Sequence, residues 1–317
     1  MELRKDYILD RWVIIATDRK KRLQQFKKDS IHNNDGLCFF CPGNEHLTPP
    51  EIGRVPLNDS WQLRWFSNKF PAVKPEGNPL IQTHNEFFTF SDAYGHHEVI
   101  AETPNHNSQL WDLSTDELYT LFTIYCHRVN ELEKQPHIKY ATIFKNHGAE
   151  AGTSLIHSHT QIAAINFIPK SIREECLTYK SQDDCPHCRI IEIEKNSERR
   201  CFENKRFVAF TPYASRFNFE VWVFPKHHLK TFKEFTEEDY HDLAEIMKNI
   251  LTKLKALNAP YNYFVHYSPK EENLHFHIEI TPRLSKWAGF EFSTETIINT
   301  VSPEDAARFF RGEEEVN

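Results

Sequence analysis

Two stretches of the chain follow the same plan, and together they decide the fold. Residues 140–161 read YATIFKNHGAEAGTSLIHSHTQ, and residues 263–279 read YFVHYSPKEENLHFHIE. Each begins with aromatic, aliphatic or β-branched residues that favour a strand, continues through a loop, and ends in a row with two histidines separated by one residue. The two histidine pairs are 118 residues apart. The chain is therefore predicted to contain one structural unit twice.

The repeat extends upstream, where three pairs of landmarks share an offset of 122 residues. A glutamate is followed after eight residues by a histidine, and after eight more by the first residue of a helix-capping sequence. The pairs are Glu98 and Glu220, His106 and His228, and Ser114 and Thr236. Apolar residues at helical spacing follow both caps. The pattern predicts helices over 114–134 and 236–257.

Strands before and after each helix indicate an α+β fold of two duplicated domains, each an antiparallel sheet with packed helices. A polar stretch over 170–184 separates the two copies. We place the N-terminal domain at residues 1–175 and the C-terminal domain at residues 176–317. The first would carry the His-x-His-x-Gln row, and the second would carry a second CxxC pair.

Composition excludes several classes of protein. The 317 residues are 39% hydrophobic and 13% aromatic, as in globular proteins and unlike disordered chains. A net charge of −7 argues against nucleic acid as a partner, but it allows a local basic pocket for phosphate. No apolar run approaches the roughly 18 residues of a membrane span. The charged start lacks the apolar core of a signal peptide. We expect a soluble, cytoplasmic protein with no membrane partner.

Four of the seven cysteines form two CxxC pairs, Cys38 with Cys41 and Cys185 with Cys188. An odd number of cysteines argues against a disulfide framework. A CxxC pair lets two thiolates bind one ion, as in zinc knuckles, whereas a redox pair starts a helix after a strand. We expect zinc, and a redox pair or chance spacing would be the competing explanations.

His157, His159 and Gln161 alternate along a predicted strand and therefore share one face. Either both histidines bind metal, or one binds metal while its neighbour does chemistry. A closed tetrahedral zinc site needs two ligands besides the thiolates of each CxxC pair. The upstream histidine and one row histidine supply them, which leaves His159 free. The two predicted structural zinc sites are Cys38, Cys41, His106 and His157, and Cys185, Cys188, His228 and His275.

The loop before His159 favours phosphate binding. Gly148 and Gly152 allow the backbone to approach a ligand closely, and Lys145 and Ser154 offer a charge and a hydroxyl. The corresponding loop of the second half lacks these glycines. Catalysis is therefore assigned to the first half.

These groups indicate nucleophilic catalysis at phosphorus. Neutral His159 would attack a phosphorus atom and expel a leaving phosphate, which forms a phosphoramidate. Gln161 would hold a nonbridging oxygen through its amide, and Lys145 would offset the charge of the phosphates.

The His-x-His-x-Gln row, the Asn-x-Gly loop before it and the first CxxC pair resemble the galactose-1-phosphate uridylyltransferase family, which belongs to the histidine-triad superfamily. The resemblance covers almost the whole chain, because further segments follow in the family's order. They are residues 3–14, 18–22, 68–71, 97–106 and 289–291. The resemblance implies two histidine-triad-like domains and a homodimer.

The same resemblance implies a ping-pong mechanism. His159 takes a nucleoside monophosphate from a nucleotide sugar, a sugar 1-phosphate leaves, and a second phosphate acceptor collects the nucleotide. Gln161 stabilises the covalent intermediate. The implied substrate contacts are Arg19, Arg22, Asn146 and Ser154 with phosphates, Asn68 with the nucleoside, and Glu291 with the sugar.

The sequence departs from the family where Ser158 and Thr160 replace the usual prolines of the row. This feature and the second CxxC pair are similar to the plant ADP-glucose phosphorylase branch, which transfers AMP to phosphate. We expect transfer of UMP from UDP-glucose to galactose 1-phosphate, and AMP transfer is the alternative. Two competing hypotheses are a zinc-stabilised nucleotide-binding module without turnover and a histidine-triad hydrolase. The metal of the second site and the role of His277 stay open.

Overall fold

The computed structural model describes residues 1–17, 37–56 and 60–314. Its strands are β1 (Glu2–Lys5), β2 (Trp12–Ile15), β3 (Glu51–Val55), β4 (Leu63–Ser67), β5 (Gln82–Thr83), β6 (Thr89–Phe90), β7 (Gly95–Ala101), β8 (Tyr140–His147), β9 (His159–Ile165), β10 (Arg200–Glu203), β11 (Phe207–Phe210), β12 (Val221–Pro225), β13 (Tyr261–His266), β14 (His277–Pro282) and β15 (Ile297–Asn299). Its α-helices are α1 (Thr115–Glu133), α2 (Lys170–Lys180), α3 (Pro186–Glu194), α4 (Glu237–Leu257), α5 (Gly289–Thr294) and α6 (Pro303–Arg311).

A ten-stranded sheet forms the centre of the structure. Its strand order is β10-β11-β12-β14-β13-β8-β9-β7-β4-β3, and all neighbouring strands in it are antiparallel. Counted outward from the β8–β13 contact, the first half has the order β8, β9, β7, β4, β3, and the second half has the order β13, β14, β12, β11, β10. The two orders correspond strand by strand. This antiparallel sheet with packed helices confirms the predicted α+β class.

The two halves meet where β8 pairs with β13. Tyr261 lies opposite His147, and Val265 lies opposite Ile143, so backbone hydrogen bonding continues across the midline. The predicted boundary between residues 175 and 176 falls within α2. The division into two domains stays a prediction.

Helices α1 and α4 pack beside each other. Ser114 and Thr236 each form the predicted capping box, because each side chain accepts a hydrogen bond from the backbone three residues on. Both helices bury an apolar stripe in the main core. The predicted helices over 114–134 and 236–257 are thus confirmed to within one residue at each end.

The side chains of β8 and β9 point alternately to the two faces of the sheet. Tyr125 of α1 donates a hydrogen bond to Thr160, which shows that Thr160 faces the helices. Lys145 lies opposite Thr160 in the register and shares that face, whereas Phe144 and Gln161 lie opposite each other on the other face. We call the side of Gln161 and His159 the open face.

A small sheet joins the ends of the chain, because β2 pairs with both β1 and β15. Arg4 of β1 also forms an ion pair with Glu304 of α6. Among the residues that the structure describes, no helix has the length and apolar character needed to cross a membrane.

Candidate functional site

The first Cys/His group brings together the four residues predicted as its metal ligands. The ligand atoms of Cys38, Cys41, His106 and His157 all lie within 4.8 Å of one another. The Nδ1 of His157 is 3.5 Å from both sulfurs, and the Nδ1 of His106 is 3.3 Å from the Cys41 sulfur. Tetrahedral zinc, with bonds of about 2.3 Å to sulfur and about 2.1 Å to nitrogen, places these atoms about 3.6 Å apart. The geometry therefore fits zinc.

A hydrogen bond from the other ring nitrogen orients His157 as a metal ligand. Its Nε2–H donates to the carbonyl oxygen of Thr103 at 2.7 Å, which leaves Nδ1 unprotonated and directed at the sulfurs. Burial lowers the pKa of His157 to about 4, so the imidazole is neutral at neutral pH. A neutral imidazole is the form that binds a metal ion.

The second Cys/His group repeats this arrangement. The ligand atoms of Cys185, Cys188, His228 and His275 also lie within 4.8 Å of one another. The Nδ1 of His275 lies 3.7 Å from the Cys185 sulfur and 3.5 Å from the Cys188 sulfur, and the Nδ1 of His228 lies 3.6 Å from the Cys188 sulfur. His275 donates from Nε2 to the carbonyl oxygen of Pro225 at 3.0 Å. The two halves thus offer two closed Cys₂His₂ groups.

His159 is the first residue of β9 and lies on the open face. Its Nδ1–H donates to the carbonyl oxygen of His157 at 2.8 Å, and the edge-on ring of Phe40 lies 5.4 Å away between centroids. Among the described residues no hydrogen bond reaches Nε2. Burial and the nearby Lys145 ammonium lower the pKa of His159. The result is a neutral imidazole with an available lone pair, which can act as a nucleophile.

Gln161 lies beside His159 and is oriented by two side chains. The backbone N–H of Ala72 donates to His97 Nδ1 at 3.1 Å, so the proton of His97 is on Nε2, which donates to Gln161 Oε1 at 3.0 Å. Asn68 donates to the same oxygen at 3.3 Å. Because Oε1 is occupied, the amide nitrogen of Gln161 can donate to a ligand on the open face. The sequence did not predict this role of His97.

The glycine loop connects β8 to His157. Gly148 and Gly152 have φ angles of +85° and +86°, which favour glycine. A Cβ at residue 148 would also lie 2.6 Å from Pro260 Cβ, so this glycine is required by packing. Asn262 of β13 donates to the side chain of Asn146 and to the carbonyl oxygen of Ala151, both at 2.8 Å. The second half therefore supports the loop of the first.

Lys145 does not match its prediction as a phosphate ligand. Its side chain lies on the helix-covered face, with 1% of the residue exposed, and its ammonium group contacts the Glu102 carboxylate at 2.5 Å. The sheet separates this ammonium from the amide of Gln161, because residues 145 and 161 lie on opposite faces. The predicted phosphate contact of Lys145 is therefore corrected.

The structure describes only some of the other residues that were predicted to contact the substrate. Ser154 is exposed at the end of the glycine loop. Glu291 accepts a hydrogen bond from the backbone of Ala288 at the start of α5, and no contact among the described residues joins it to His159. Arg19 and Arg22 lie outside the described residues.

A third group of possible ligands occupies the second half. Glu175, His266, His277 and Glu279 are all buried, and their ligand atoms lie within 4.8 Å of one another. These residues, apart from His277, line a cavity of about 350 Å³. Burial opposes ionisation of Glu279, but Arg216 and the histidines hold its pKa well below the usual range. The sequence showed His277 but not the group around it, because Glu175 and His266 come from other elements.

The chain is similar to several known proteins. Residues 1–169 match the N-terminal domain of galactose-1-phosphate uridyl transferase, and residues 93–309 match a domain of unknown function, DUF4921. An ADP-glucose phosphorylase of Arabidopsis thaliana is 35% identical over 98% of this chain and 92% of its own. A galactose-1-phosphate uridylyltransferase of Thermotoga maritima is 31% identical over 98% of both chains. The crystal structure of an Arabidopsis thaliana ADP-glucose phosphorylase with bound ADP-glucose is similar with a TM-score of 0.84, at 31% identity and 99% coverage of both chains.

Proposed function

The chain belongs to the galactose-1-phosphate uridylyltransferase family, and we propose that it transfers UMP from UDP-glucose to galactose 1-phosphate through a nucleotidyl group on His159. The observation that carries this proposal is the hydrogen bond from His159 Nδ1 to the carbonyl oxygen of His157 at 2.8 Å. It keeps the imidazole proton on Nδ1, away from the substrate. Nε2 then faces the open side as a nucleophile, beside a neutral amide donor.

The first half-reaction forms a P–N bond. The lone pair of His159 Nε2 attacks the α-phosphorus of the nucleotide sugar, and the bond from this phosphorus to the bridging oxygen breaks. Sugar 1-phosphate leaves with that electron pair. The imidazole carries positive charge in the adduct, and its Nδ1–H stays hydrogen-bonded to the His157 carbonyl oxygen, which stabilises the charge.

The second half-reaction reverses the first with another phosphate. An oxygen of galactose 1-phosphate attacks the phosphorus, the P–N bond breaks, and the neutral imidazole is restored. Throughout, the amide of Gln161 donates to a nonbridging oxygen of the transferred group. Asn146, the hydroxyl of Ser154 and the loop backbone at Gly148 and Gly152 are proposed to hold the other phosphate oxygens. Asn68, next to Gln161, is proposed to lie on the nucleoside side.

We propose zinc at both Cys₂His₂ groups. The sulfur–nitrogen distances of 3.3 to 3.7 Å and the carbonyl partners of His157 and His275 support a tetrahedral ion. Four protein ligands close such a site, so the ion would supply structure rather than Lewis-acid chemistry. His157 would then fix the carbonyl oxygen that orients His159.

Transfer of AMP from ADP-glucose to phosphate is the second candidate function. It is favoured by the 35% identity to the Arabidopsis thaliana ADP-glucose phosphorylase and by the TM-score of 0.84 to the structure with bound ADP-glucose. The His159 chemistry would be the same, because only the nucleoside and the acceptor differ. We propose a homodimer and a cytoplasmic location for either activity. The seven unpaired cysteines support a reducing compartment.

Intact-protein mass spectrometry after mixing with UDP-glucose or ADP-glucose, each without acceptor, tests these proposals. A UMP-sized gain from UDP-glucose alone would support uridylyl transfer, and an AMP-sized gain from ADP-glucose alone would support the second candidate. Either gain should be absent in His159→Asn, and in the wild type it should disappear when the matching acceptor is added. No gain from either donor, with folded and metal-loaded protein, would contradict covalent catalysis.

A further inference from the structure

A buried polar cluster lies behind the His-x-His-x-Gln row, on the helix-covered face of the sheet. Its centre is the carboxylate of Glu102, which follows β7 directly. One carboxylate oxygen accepts hydrogen bonds from Lys145 Nζ and Ser158 Oγ, both at 2.5 Å, and the other accepts from Thr160 Oγ1 at 2.5 Å. The backbone N–H of Glu102 also donates to the carbonyl oxygen of Ser158 at 3.1 Å. One residue thus holds the row on both sides of His159.

Lys145 completes this contact set. Besides the Glu102 carboxylate, its ammonium group donates to Ser158 Oγ at 3.0 Å and to the carbonyl oxygen of His159 at 3.1 Å. All three N–H groups of the ammonium therefore have partners. The lysine holds the backbone of His159, and the glutamate holds its two neighbours.

The cluster is expensive to bury. Glu102 is 2% exposed and Lys145 is 1% exposed. Removing two charges from water costs several kcal/mol per ion, and such pairs often add little net stability compared with apolar residues of the same volume. A gain in stability is therefore a weak explanation for this pair. Precise placement of the row is a better explanation, because every hydrogen bond of the Lys145 ammonium group is to Glu102, Ser158 or His159.

We propose that Glu102 and Lys145 are positioning residues that hold His159 in the geometry needed for attack on phosphorus. They fix the backbone on both sides of the His159 Cα, and this backbone carries the His157 carbonyl oxygen that accepts the hydrogen bond from His159 Nδ1–H. These contacts restrain residues 158–160, so a shift of the His159 backbone would break hydrogen bonds of this cluster. The inference rests on the proposed function of His159, but it concerns residues on the opposite face of the sheet.

The test compares two buried ion pairs of the same strand region. Glu102→Gln removes the carboxylate charge behind the row. Glu98→Gln is the matched control, because Glu98 lies on β7 and pairs with buried Arg128 at 2.8 and 2.9 Å without touching the row. Both variants leave a buried cation without its partner. Rapid-quench mass spectrometry measures the rate of nucleotidyl-His159 formation, and fluorescence titration with the nucleotide sugar measures its Kd.

We expect Glu102→Gln to slow adduct formation on the order of 10- to 100-fold, as small misplacements of reacting groups do, with Kd changed less than about threefold. Glu98→Gln should keep the wild-type rate even where its thermal midpoint falls equally. The double variant Glu102→Gln/Lys145→Met should stay slow, because removing the unpaired charge does not restore the hydrogen bonds. Wild-type rates in both Glu102 variants, or equal losses in the Glu98 control, would overturn the proposal.

A second readout separates this proposal from the proposed function. The ¹⁵N spectrum of histidine-labelled protein, with His159→Asn used for assignment, reports which ring nitrogen of His159 carries the proton. We expect the Nδ1–H form in the wild type and a mixture of tautomers in Glu102→Gln. If the wild type forms no adduct with any donor, the proposed function is wrong. Independently of that result, an unchanged His159 tautomer in Glu102→Gln would refute the positioning role of Glu102. Should Glu102→Gln not fold, Ser158→Ala removes one contact and serves the same measurements.

Discussion

The two histidine rows have the same backbone arrangement and different chemistry. His159 donates from Nδ1 to the carbonyl oxygen of His157 at 2.8 Å, and the Nδ1 of His277 is likewise within hydrogen-bond distance of the carbonyl oxygen of His275, at 3.0 Å. Two residues further along, the first row has the neutral Gln161 and the second has Glu279. The two rows therefore share the backbone geometry of the second histidine and differ in the residue two positions further along.

That one difference decides what each row can hold. Gln161 is oriented by His97 so that its amide can donate to a phosphate oxygen. Glu279 is ionised beside Arg216, and a carboxylate only accepts hydrogen bonds and repels phosphate. We therefore expect phosphate chemistry at the first row and not at the second. Four experiments test this comparison, beginning with the largest expected effect.

Replacing the row histidines one at a time gives the sharpest contrast. His159→Asn should lower turnover by at least about 10³-fold, because it removes the nucleophile. His277→Asn should keep turnover within about tenfold, because the residue forms no bond with the transferred group in the proposed mechanism. Steady-state assays with UDP-glucose and ADP-glucose measure both variants, after circular dichroism confirms folding. Equal losses in the two variants would mean that the rows share the chemistry.

Exchanging the residue beside the nucleophile tests the role of charge. Gln161→Glu should reduce turnover on the order of 10²- to 10³-fold, because it replaces a hydrogen-bond donor to the developing charge by an anion. The reciprocal Glu279→Gln should leave turnover within about threefold, although it should lower thermal stability by leaving Arg216 with a weaker partner. The kcat of each variant is the deciding quantity. A fully active Gln161→Glu variant would refute the assigned role of the amide.

Removing one metal at a time distinguishes the two Cys₂His₂ groups. Elemental analysis should find two zinc ions per chain in the wild type and one in either Cys38→Ser or Cys185→Ser. Turnover should fall about 10- to 100-fold in Cys38→Ser, because His157 then loses the anchor that orients His159. Cys185→Ser should mainly lower the thermal midpoint. If Cys185→Ser reduces kcat as strongly as Cys38→Ser, the assignment of chemistry to the first half is wrong.

The orientation of the Gln161 amide gives the smallest expected effect. His97→Leu removes one hydrogen bond to Oε1, and Asn68 still donates to that oxygen. We expect a decrease in kcat of about threefold to tenfold, which corresponds to one neutral hydrogen bond. His96→Leu alters the adjacent histidine and should leave kcat unchanged. A larger effect of His96→Leu would point to a general disturbance of β7.

Recognisable sequence patterns predicted the helices, the two Cys/His groups and the fold class. The capping boxes at Ser114 and Thr236 and the helical spacing after them located α1 and α4. Ligand counting around the two CxxC pairs selected eight residues that the structure brings into two groups. The fold class followed from the repeat itself. In each case the information was a short motif at a fixed spacing, or the recurrence of that motif in the second half.

Features that depend on the pairing of distant strands were missed. Lys145 was expected at a phosphate because it precedes the glycine loop, yet strand alternation turns it towards Glu102. The alternation with buried Ala141 and Ile143 was a signal that could have shown this. By contrast, the grouping of Glu175 with His266 and Glu279 joins a helix to two strands. No local pattern predicts such a contact.

The pairing of β8 with β13 also prevents each half from associating with other chains through an unpaired strand edge. In a separated half, β8 or β13 would become an edge with unpaired N–H and C=O groups, which recruits other chains. Within the intact protein these two edges satisfy each other, and the exposed ends of the large sheet are the short strands β3 and β10. Separating the two halves would therefore create an aggregation-prone edge and remove the hydrogen bonds that Asn262 donates to Asn146 and to the glycine loop.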